Sequence, residues 1–238
     1  MERVELLGVG FDNVNMSEAV ERGVEMLLSD GAHYVVTPNP EIVETCRANP
    51  AAKEAVNGAD LVIADGIGVV YGARIKKTPL KCRVPGIEFG AEMVAQCAKL
   101  GKSVYFLGCK PGIAEMAAEN LKKQHPGLKV VGTADGYFKD DAAAAEKVRE
   151  SGADLLFVCL GAPKQEIFMK QYGEATGAHL LMGLGGSLDV FAGVVKRAPK
   201  IYQDLNLEWF YRLIKNPSRI GRMMKLPLFL IHVMGEKR

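Results

Sequence analysis

Seven short runs rich in apolar and β-branched residues, at 4–9, 33–37, 61–65, 103–108, 129–133, 155–160 and 179–184, recur along the chain. Most are nearly continuous in apolar side chains, as strands covered on both faces must be. Helical periodicity fills the stretches at 17–28, 87–100, 113–124 and 142–150. Strand alternating with helix predicts an α/β fold, a Rossmann-like and mostly parallel sheet flanked by helices. Ser17 stands where a helix begins after a turn, and Gly31, Gly101 and Gly152 follow helix ends, where a left-handed residue is favoured. Gly-Ala-Asp-Leu occurs at 58–61 and again at 152–155, each time entering a strand. A recurring helix-to-strand turn explains the repeat more simply than duplication.

The pattern changes after Val195, which divides the chain into an α/β domain over 1–195 and a helical basic appendage over 196–238. Arg197-Ala-Pro-Lys200 leads into an aromatic helix through Leu205, Trp209, Phe210 and Leu213. After Asn216-Pro217 a second helix sets Arg219, Arg222 and Lys225 near Ile220, Met223, Met224, Leu226, Phe229 and Leu230. The net charge of +2 hides an asymmetry: the appendage holds ten Lys/Arg against three Asp/Glu, and residues 1–195 hold 20 against 25. Such a basic segment implies an anionic partner, such as a lipid surface, a diphosphate or nucleic acid. No nucleic-acid reader motif accompanies the charge, so nucleic acid is not expected. Leu226 to Met234 is apolar except for His232, but nine residues fall far short of the roughly 20 that span a bilayer. Attachment at an anionic membrane surface is the expectation instead. The first residues lack a basic start and an apolar stretch, so a cytoplasmic protein, peripheral at the inner face of the cell membrane, is expected. Assembly into homo-oligomers is left open.

Hydrophobic residues make up 48% of the 238 and charged residues 24%, ordinary globular values that exclude a disordered chain. Cys46, Cys82, Cys97, Cys109 and Cys159 are odd in number and never spaced C-x-x-C, which argues against zinc and against a disulfide framework. His33, His125, His179 and His232 are scattered, so no metal site and no cofactor are expected.

Ligands of open α/β sheets sit beyond the carboxyl ends of the strands. The loops there read Thr37-Pro-Asn-Pro-Glu41, Asp65-Gly-Ile-Gly68, Gly108-Cys-Lys-Pro-Gly112, Asp135-Gly-Tyr-Phe138, Gly161-Ala-Pro-Lys-Gln-Glu166 and Gly183-Leu-Gly-Gly-Ser187. The last follows a strand and precedes a helix, where free N–H groups can cradle a phosphate, although a plain tight turn uses the same residues. Gly8-Val-Gly-Phe-Asp-Asn13 lacks the third glycine of a dinucleotide fingerprint, and the P-loop and G-x-S-x-G patterns are absent. Dehydrogenase, P-loop ATPase and α/β-hydrolase are thereby disfavoured. Asp65 at a strand end suits a general base, but Ala134-Asp-Gly136 repeats Ala64-Asp-Gly66, and local sequence does not separate Asp65 from Asp135. Thr37 and Asn39 each precede a proline that stiffens the loop, and Arg83 precedes Pro85-Gly86 and a helix.

Taken together, Thr37-Pro-Asn-Pro-Glu41, Ala64-Asp-Gly-Ile-Gly68, Arg83-Val-Pro-Gly86, Phe106-Leu-Gly108, Gly161-Ala-Pro-Lys-Gln-Glu-Ile-Phe168, Gly185-Gly-Ser-Leu-Asp189 and Arg197-Ala-Pro199 resemble the WecG/TagA/CpsF family of bacterial glycosyltransferases. The seven blocks stand in order along nearly the whole chain. The resemblance implies transfer of an N-acetylmannosamine-type sugar from a UDP-sugar donor to the 4-hydroxyl of a polyprenyl-diphosphate-GlcNAc acceptor, in the linkage unit of teichoic acid. The ending Lys215-Asn-Pro-Ser-Arg219 looks closer to members that use UDP-N-acetylmannosamine than to those that use its uronic acid. It also implies Asp65 as the catalytic base, with Thr37, Asn39, Arg83 and Gln165 around the sugars and diphosphate. Arg212, Arg219 and Arg222 would complete the site from the appendage. Gly108, Gly136, Tyr137, Gly161, Lys164, Gly185, Gly186, Ser187 and Asp189 would line the nucleotide. With no D-x-D motif, transfer without a divalent ion is expected. The competing class is a membrane-peripheral module that binds the nucleotide sugar without turnover.

Overall fold

The computed structural model describes residues 3–217 and 220–236. β1 (Arg3–Leu6) and β2 (Val9–Asp12) form an antiparallel hairpin. The run at 4–9 is therefore two strands rather than one, because Leu7 and Gly8 both take positive φ, 53° and 79°, and turn the chain back. Two successive left-handed residues match the twist of a tight hairpin. The other strands are β3 (His33–Val36), β4 (Leu61–Val62), β5 (Ser103–Gly108), β6 (Lys129–Ala134), β7 (Leu155–Cys159) and β8 (Leu180–Gly183). They form one sheet in the order β4-β3-β8-β7-β5-β6, with every neighbouring pair parallel.

The helices of the first 195 residues are α1 (Met16–Leu28), α2 (Pro40–Ala48), α3 (Pro50–Asn57), α4 (Ile67–Ile75), α5 (Gly86–Leu100), α6 (Ile113–Gln124), α7 (Asp141–Ser151), α8 (Lys164–Tyr172) and α9 (Ser187–Phe191). They cover both faces of the sheet, and successive strand residues feed opposite cores. Leu156 and Val158 of β7 pack with α2, α3, α4, α7 and α8, while Leu155 and Phe157 pack with α1, α5, α6 and α9. This two-sided burial is why the strands read as continuous apolar runs.

The caps differ in part from the sequence expectation. Asn15 begins α1: its side chain accepts from the Glu18 N–H at 3.0 Å, and the Glu18 carboxylate accepts from the Asn15 N–H at 2.8 Å, so Ser17 lies inside the first turn. Gly101 and Gly152 do close α5 and α7 in the left-handed region, with φ of 69° and 64°. Gly31 is left-handed as well, but α1 ends on Ser29. The two Gly-Ala-Asp-Leu segments share a task at the start of a strand. Asp60 accepts the Tyr34 N–H of β3 at 2.9 Å, and Asp154 accepts the Ser103 N–H of β5 at 2.7 Å. Each carboxylate thus tethers its strand to the amino end of the parallel neighbour.

The tail carries α10 (Lys200–Asp204), α11 (Glu208–Lys215), α12 (Ile220–Met223) and α13 (Lys225–Gly235). It is not wholly separable from the rest. Phe229 and Val233 of α13 are 0% and 1% exposed and belong to the core shared with α2 and α4. Close approach depends on two glycines of α4: a Cβ on Gly72 would lie 2.9 Å from the Phe229 ring, and one on Gly68 would lie 2.3 Å from Leu226. Lys76 pairs with Glu236 at 2.9 Å, and His232 lies 2.9 Å from Glu44. By contrast Ile201, Leu205, Ile214, Ile220 and Met224 are more than half exposed. Among the described residues, no helix is long and apolar enough to cross a membrane.

Truncating the anchor tests the docking of α13. Phe229→Ala should cost about 3–5 kcal/mol through lost burial and the cavity left behind, read as a lowered urea midpoint. A change below about 1 kcal/mol would mean that α13 does not share the core.

Candidate active site

Because all six strands of the main sheet run the same way, their carboxyl ends open on one edge. At roughly 4.8 Å per strand step, the five steps from β4 to β6 span about 24 Å. The candidate residues divide along that edge. Asp65 follows β4, Thr37 and Asn39 follow β3, and the 184–189 segment follows β8. Gly161 follows β7, Gly108 ends β5, and Gly136 and Tyr137 follow β6.

Asp65, Thr37, Asn39 and Arg83 come together at the β4–β3 end. The Asp65 Oδ1 accepts the N–H of Gly86, the first residue of α5, at 3.1 Å, so a helix N-terminus orients the carboxylate. Arg83 Nε donates to the Asp65 carbonyl at 2.6 Å, and its Nη2 lies 3.8 Å from Oδ1. Gly86 has no spare room: a Cβ there would meet Thr37 Cγ2 at 3.1 Å. Thr37 is buried, and its hydroxyl donates to the Gly183 carbonyl of β8 at 3.0 Å. Asn39 caps α2 by accepting the Ile42 N–H at 3.1 Å, with Pro40 at the first helical position, where no N–H is needed. The Thr37-Pro-Asn-Pro-Glu41 segment is therefore loop for three residues and helix thereafter.

The two Asp-Gly turns, alike in local sequence, have different surroundings. Asp135 sits at the opposite sheet edge and accepts the Tyr137 N–H at 2.8 Å, two residues on, as a turn-closing aspartate does. Asp65 faces the start of α5 and Arg83 instead.

The nucleotide-lining candidates occupy the loops from β8 to β6. Gly108 is held at φ 132°, where a Cβ would strike the Cys159 backbone at 2.3 Å, and the Gly136 N–H donates to the Cys109 carbonyl at 2.9 Å. Tyr137 is exposed. Lys164 lies 4.2 Å from the centre of the Phe138 ring and 3.7 Å from Asp141, so it belongs with the β6 loop. The glycine loop is more internally bonded than a bare phosphate cradle. The Gly185 N–H donates to Gln165 Oε1 at 3.0 Å and the Ser187 N–H donates to the Leu184 carbonyl at 3.1 Å. Asp189 accepts from the Cys109 thiol at 3.7 Å, and burial, followed by that carboxylate, pushes the thiol up to about 12. Gln165 is buried and braces Gly185. Arg212 lies in α11 and Arg222 in α12, and Arg219 lies outside the described residues. Among the described residues no group of three or more His, Cys, Asp or Glu stands together as metal ligands do.

Two further acids belong to this region: Glu166 lies within the Gly161–Phe168 block but is not among the candidates, and Glu208 lies in none of the blocks. Glu208 of α11 is buried and pairs with Arg83 at 2.6 Å. Glu166, beside Gln165, is 1% exposed; its Oε1 accepts from Gln165 Nε2 at 2.8 Å.

The model of the "Glycosyl transferase WecG/TagA/CpsF family" matches residues 4–238. An N-acetylglucosaminyldiphosphoundecaprenol N-acetyl-beta-D-mannosaminyltransferase of Bacillus spizizenii is 37% identical over 205 residues, covering 86% of this chain and 80% of its own. A protein of the same name from Staphylococcus aureus strain MW2 is 35% identical over 243 residues, covering 99% of this chain and 94% of its own.

Burial raises the Glu166 carboxyl above its ordinary value, and the Gln165 hydrogen bond offsets only part of that. Among the described residues its Oε2 has no hydrogen-bond partner. An unfolded glutamate ionises near pH 4.3. Above that pH the unfolded state releases a proton that the folded state retains, so this group lowers stability as pH rises towards its folded value. Glu166→Gln removes the titration. The stability of the variant relative to the unaltered protein should therefore increase from pH 4 to pH 7 in urea unfolding, whereas a constant difference would contradict a buried, raised carboxyl.

Proposed function

The chain belongs to the WecG/TagA/CpsF family of glycosyltransferases, and from that premise we propose that it transfers N-acetylmannosamine from a UDP-linked donor to GlcNAc-diphospho-undecaprenol. The printed names of the Bacillus and Staphylococcus relatives give the acceptor and the β-N-acetylmannosaminyl group. They favour N-acetylmannosamine over its uronic acid as the donated sugar. The observation that carries the chemistry is the seam at the middle of the strand ends. Thr37 joins β3 to Gly183 of β8, placing the Asp65 carboxylate on one side and the glycine-rich loops on the other.

In this reading the diphosphate of the donor lies over the β8–β5 loops and the uridine extends towards Gly136 and Tyr137, with Lys164 beside them. The transferred sugar reaches the seam. Asp65 removes the proton of the acceptor 4-hydroxyl as that oxygen attacks the anomeric carbon, and the bond to the UDP β-phosphate breaks on the opposite face. One displacement inverts the anomeric centre and gives the β-linkage. Charge grows on the departing phosphate, where donors whose orientation is already set are worth most. Arg83, Arg212, Arg219 and Arg222 serve the lipid diphosphate, and linkage-unit synthesis for teichoic acid is the role proposed.

Asp65→Asn keeps the size and most hydrogen bonding of the side chain but removes the base. Transfer should fall by about 10²–10⁴, the range of general-base catalysis, with UDP affinity unchanged in calorimetry. Wild-type turnover by the variant would remove Asp65 from this role, and UDP binding by an unaltered chain that never turns over would favour the binding-module class.

The exposed apolar face of α10 to α12, carried on a basic segment, is proposed to rest on the anionic inner surface of the membrane, where the acceptor lies. Each basic residue near such a surface contributes about 1 kcal/mol. Ile201→Glu combined with Leu205→Glu, both at exposed positions, should lower co-sedimentation with phosphatidylglycerol vesicles several-fold. Equal binding by the two proteins would defeat membrane attachment through this face.

A further inference from the structure

Four arginine-to-acid contacts, made by Arg83 and Arg197, converge where the tail meets the body, and the transfer mechanism uses only Arg83 of the two. Glu208 of α11 has a side chain 8% exposed, and its Oε2 accepts from Arg83 Nη2 at 2.6 Å. Its Oε1 lies 3.4 Å from Arg197 Nε, and the other end of Arg197 pairs with Glu88 of α5. Arg83 in turn donates to the carbonyl of Asp65. A continuous path therefore runs from the tail, through one buried carboxylate, to the residue proposed as base.

We propose that Glu208 is a positioning residue: its carboxylate, clamped between Arg83 and Arg197, fixes the tail over the acceptor side of the site and holds Arg83 against the Asp65 loop. The chemistry favours this role over a surface ion pair. The carboxylate is shielded from water and meets guanidinium groups from two separate segments, so its loss leaves two poorly hydrated cations near one another with nothing between them. Helix α13 docks on α2 and α4 at the far end of the tail, away from Glu208. Glu208 supplies a second attachment, beside the reacting groups. The donor nucleotide lies over other strands, so the effect falls on the acceptor side of the reaction. This inference rests on the transferase reading, and its test includes a readout that does not.

The experiment compares full-length Glu208→Gln, Glu208→Asp and Arg197→Gln with the unaltered protein. A short-chain lipid-diphosphate-GlcNAc is the acceptor, UDP alone the calorimetric probe, and trypsin the probe of the tail. Glu208→Gln should lower kcat/KM for the acceptor at least tenfold while UDP affinity stays within twofold. Trypsin should cut between residues 196 and 217 at least tenfold faster at a temperature where both proteins remain folded. Glu208→Asp, which keeps the charge, should recover part of the acceptor kcat/KM, and Arg197→Gln should reproduce the loss. If Glu208→Gln proves unfolded, Arg197→Gln decides alone by the same readouts. Unaltered protection of the tail would overturn the clamp. Equal loss of UDP and acceptor function would reduce Glu208 to a general structural part, and a gain in acceptor affinity would show that its carboxylate competes with the diphosphate. Absence of transfer by the unaltered protein would count against the transferase reading, while the trypsin comparison would still decide the clamp.

Discussion

Parallel pairing is the constraint on which the rest depends. A parallel strand cannot be reached by a tight turn, so every connection in the main sheet must travel back across a face, and each passage lays down helices that bury it. The carboxyl ends then share one edge because no strand reverses. In this protein that edge is sewn at its middle by the Thr37 hydroxyl and the Gly183 carbonyl. The bond joins a strand whose chain departs towards β4 to one whose chain arrives from β7. The Asp65 half and the glycine-loop half meet there. Gly86 permits the meeting, because a methyl group at that position would press on Thr37 and displace the helix end that orients Asp65.

The tail is secured by two kinds of force. At α13 the attachment is chiefly apolar, with Phe229 seated over Gly72 and Leu226 over Gly68, and the Lys76–Glu236 and His232–Glu44 contacts flank it. Around Glu208 the attachment is a shielded network of opposite charges, directional and costly to break one member at a time. The stretch between them exposes apolar side chains to solvent. In the proposed reading, a segment pinned at both ends and apolar in its middle meets the membrane without the strand-end edge losing its geometry.

Much of this architecture was legible in the amino-acid order because burial on both faces leaves an unmistakable mark. Leu155, Leu156, Phe157 and Val158 alternate between two cores and so all must be apolar. The hairpin was not legible, since nothing marks Leu7 as a residue that will adopt positive φ. Asn39-Pro40 and Asn49-Pro50 are helix starts, but dense proline next to a strand end looks like loop until the capping distances are known. Asp65 and Asp135 share their neighbours in sequence but meet different partners, Asp65 facing Gly86 and Arg83, about 20 residues away along the chain, a difference local sequence does not encode. Glu208 was hidden for the same reason, its partner Arg83 lying 125 residues before it. The tail arginines drew attention by charge, whereas the acid that orders the junction is one of only three in that segment.

The central claim is that one sheet edge is divided between nucleotide and acceptor, with the boundary at the β3–β8 seam. Hydrogen exchange of the full-length protein with and without saturating UDP tests it most directly. The account predicts slowed exchange in the 108–112, 135–138, 160–166 and 184–189 loops, with little change in the 65–68 loop or in α11. Protection centred instead on the 65–68 loop, or on the cleft at the other end of the strands lined by Ala32, Tyr34, Lys170 and Leu181, would contradict it.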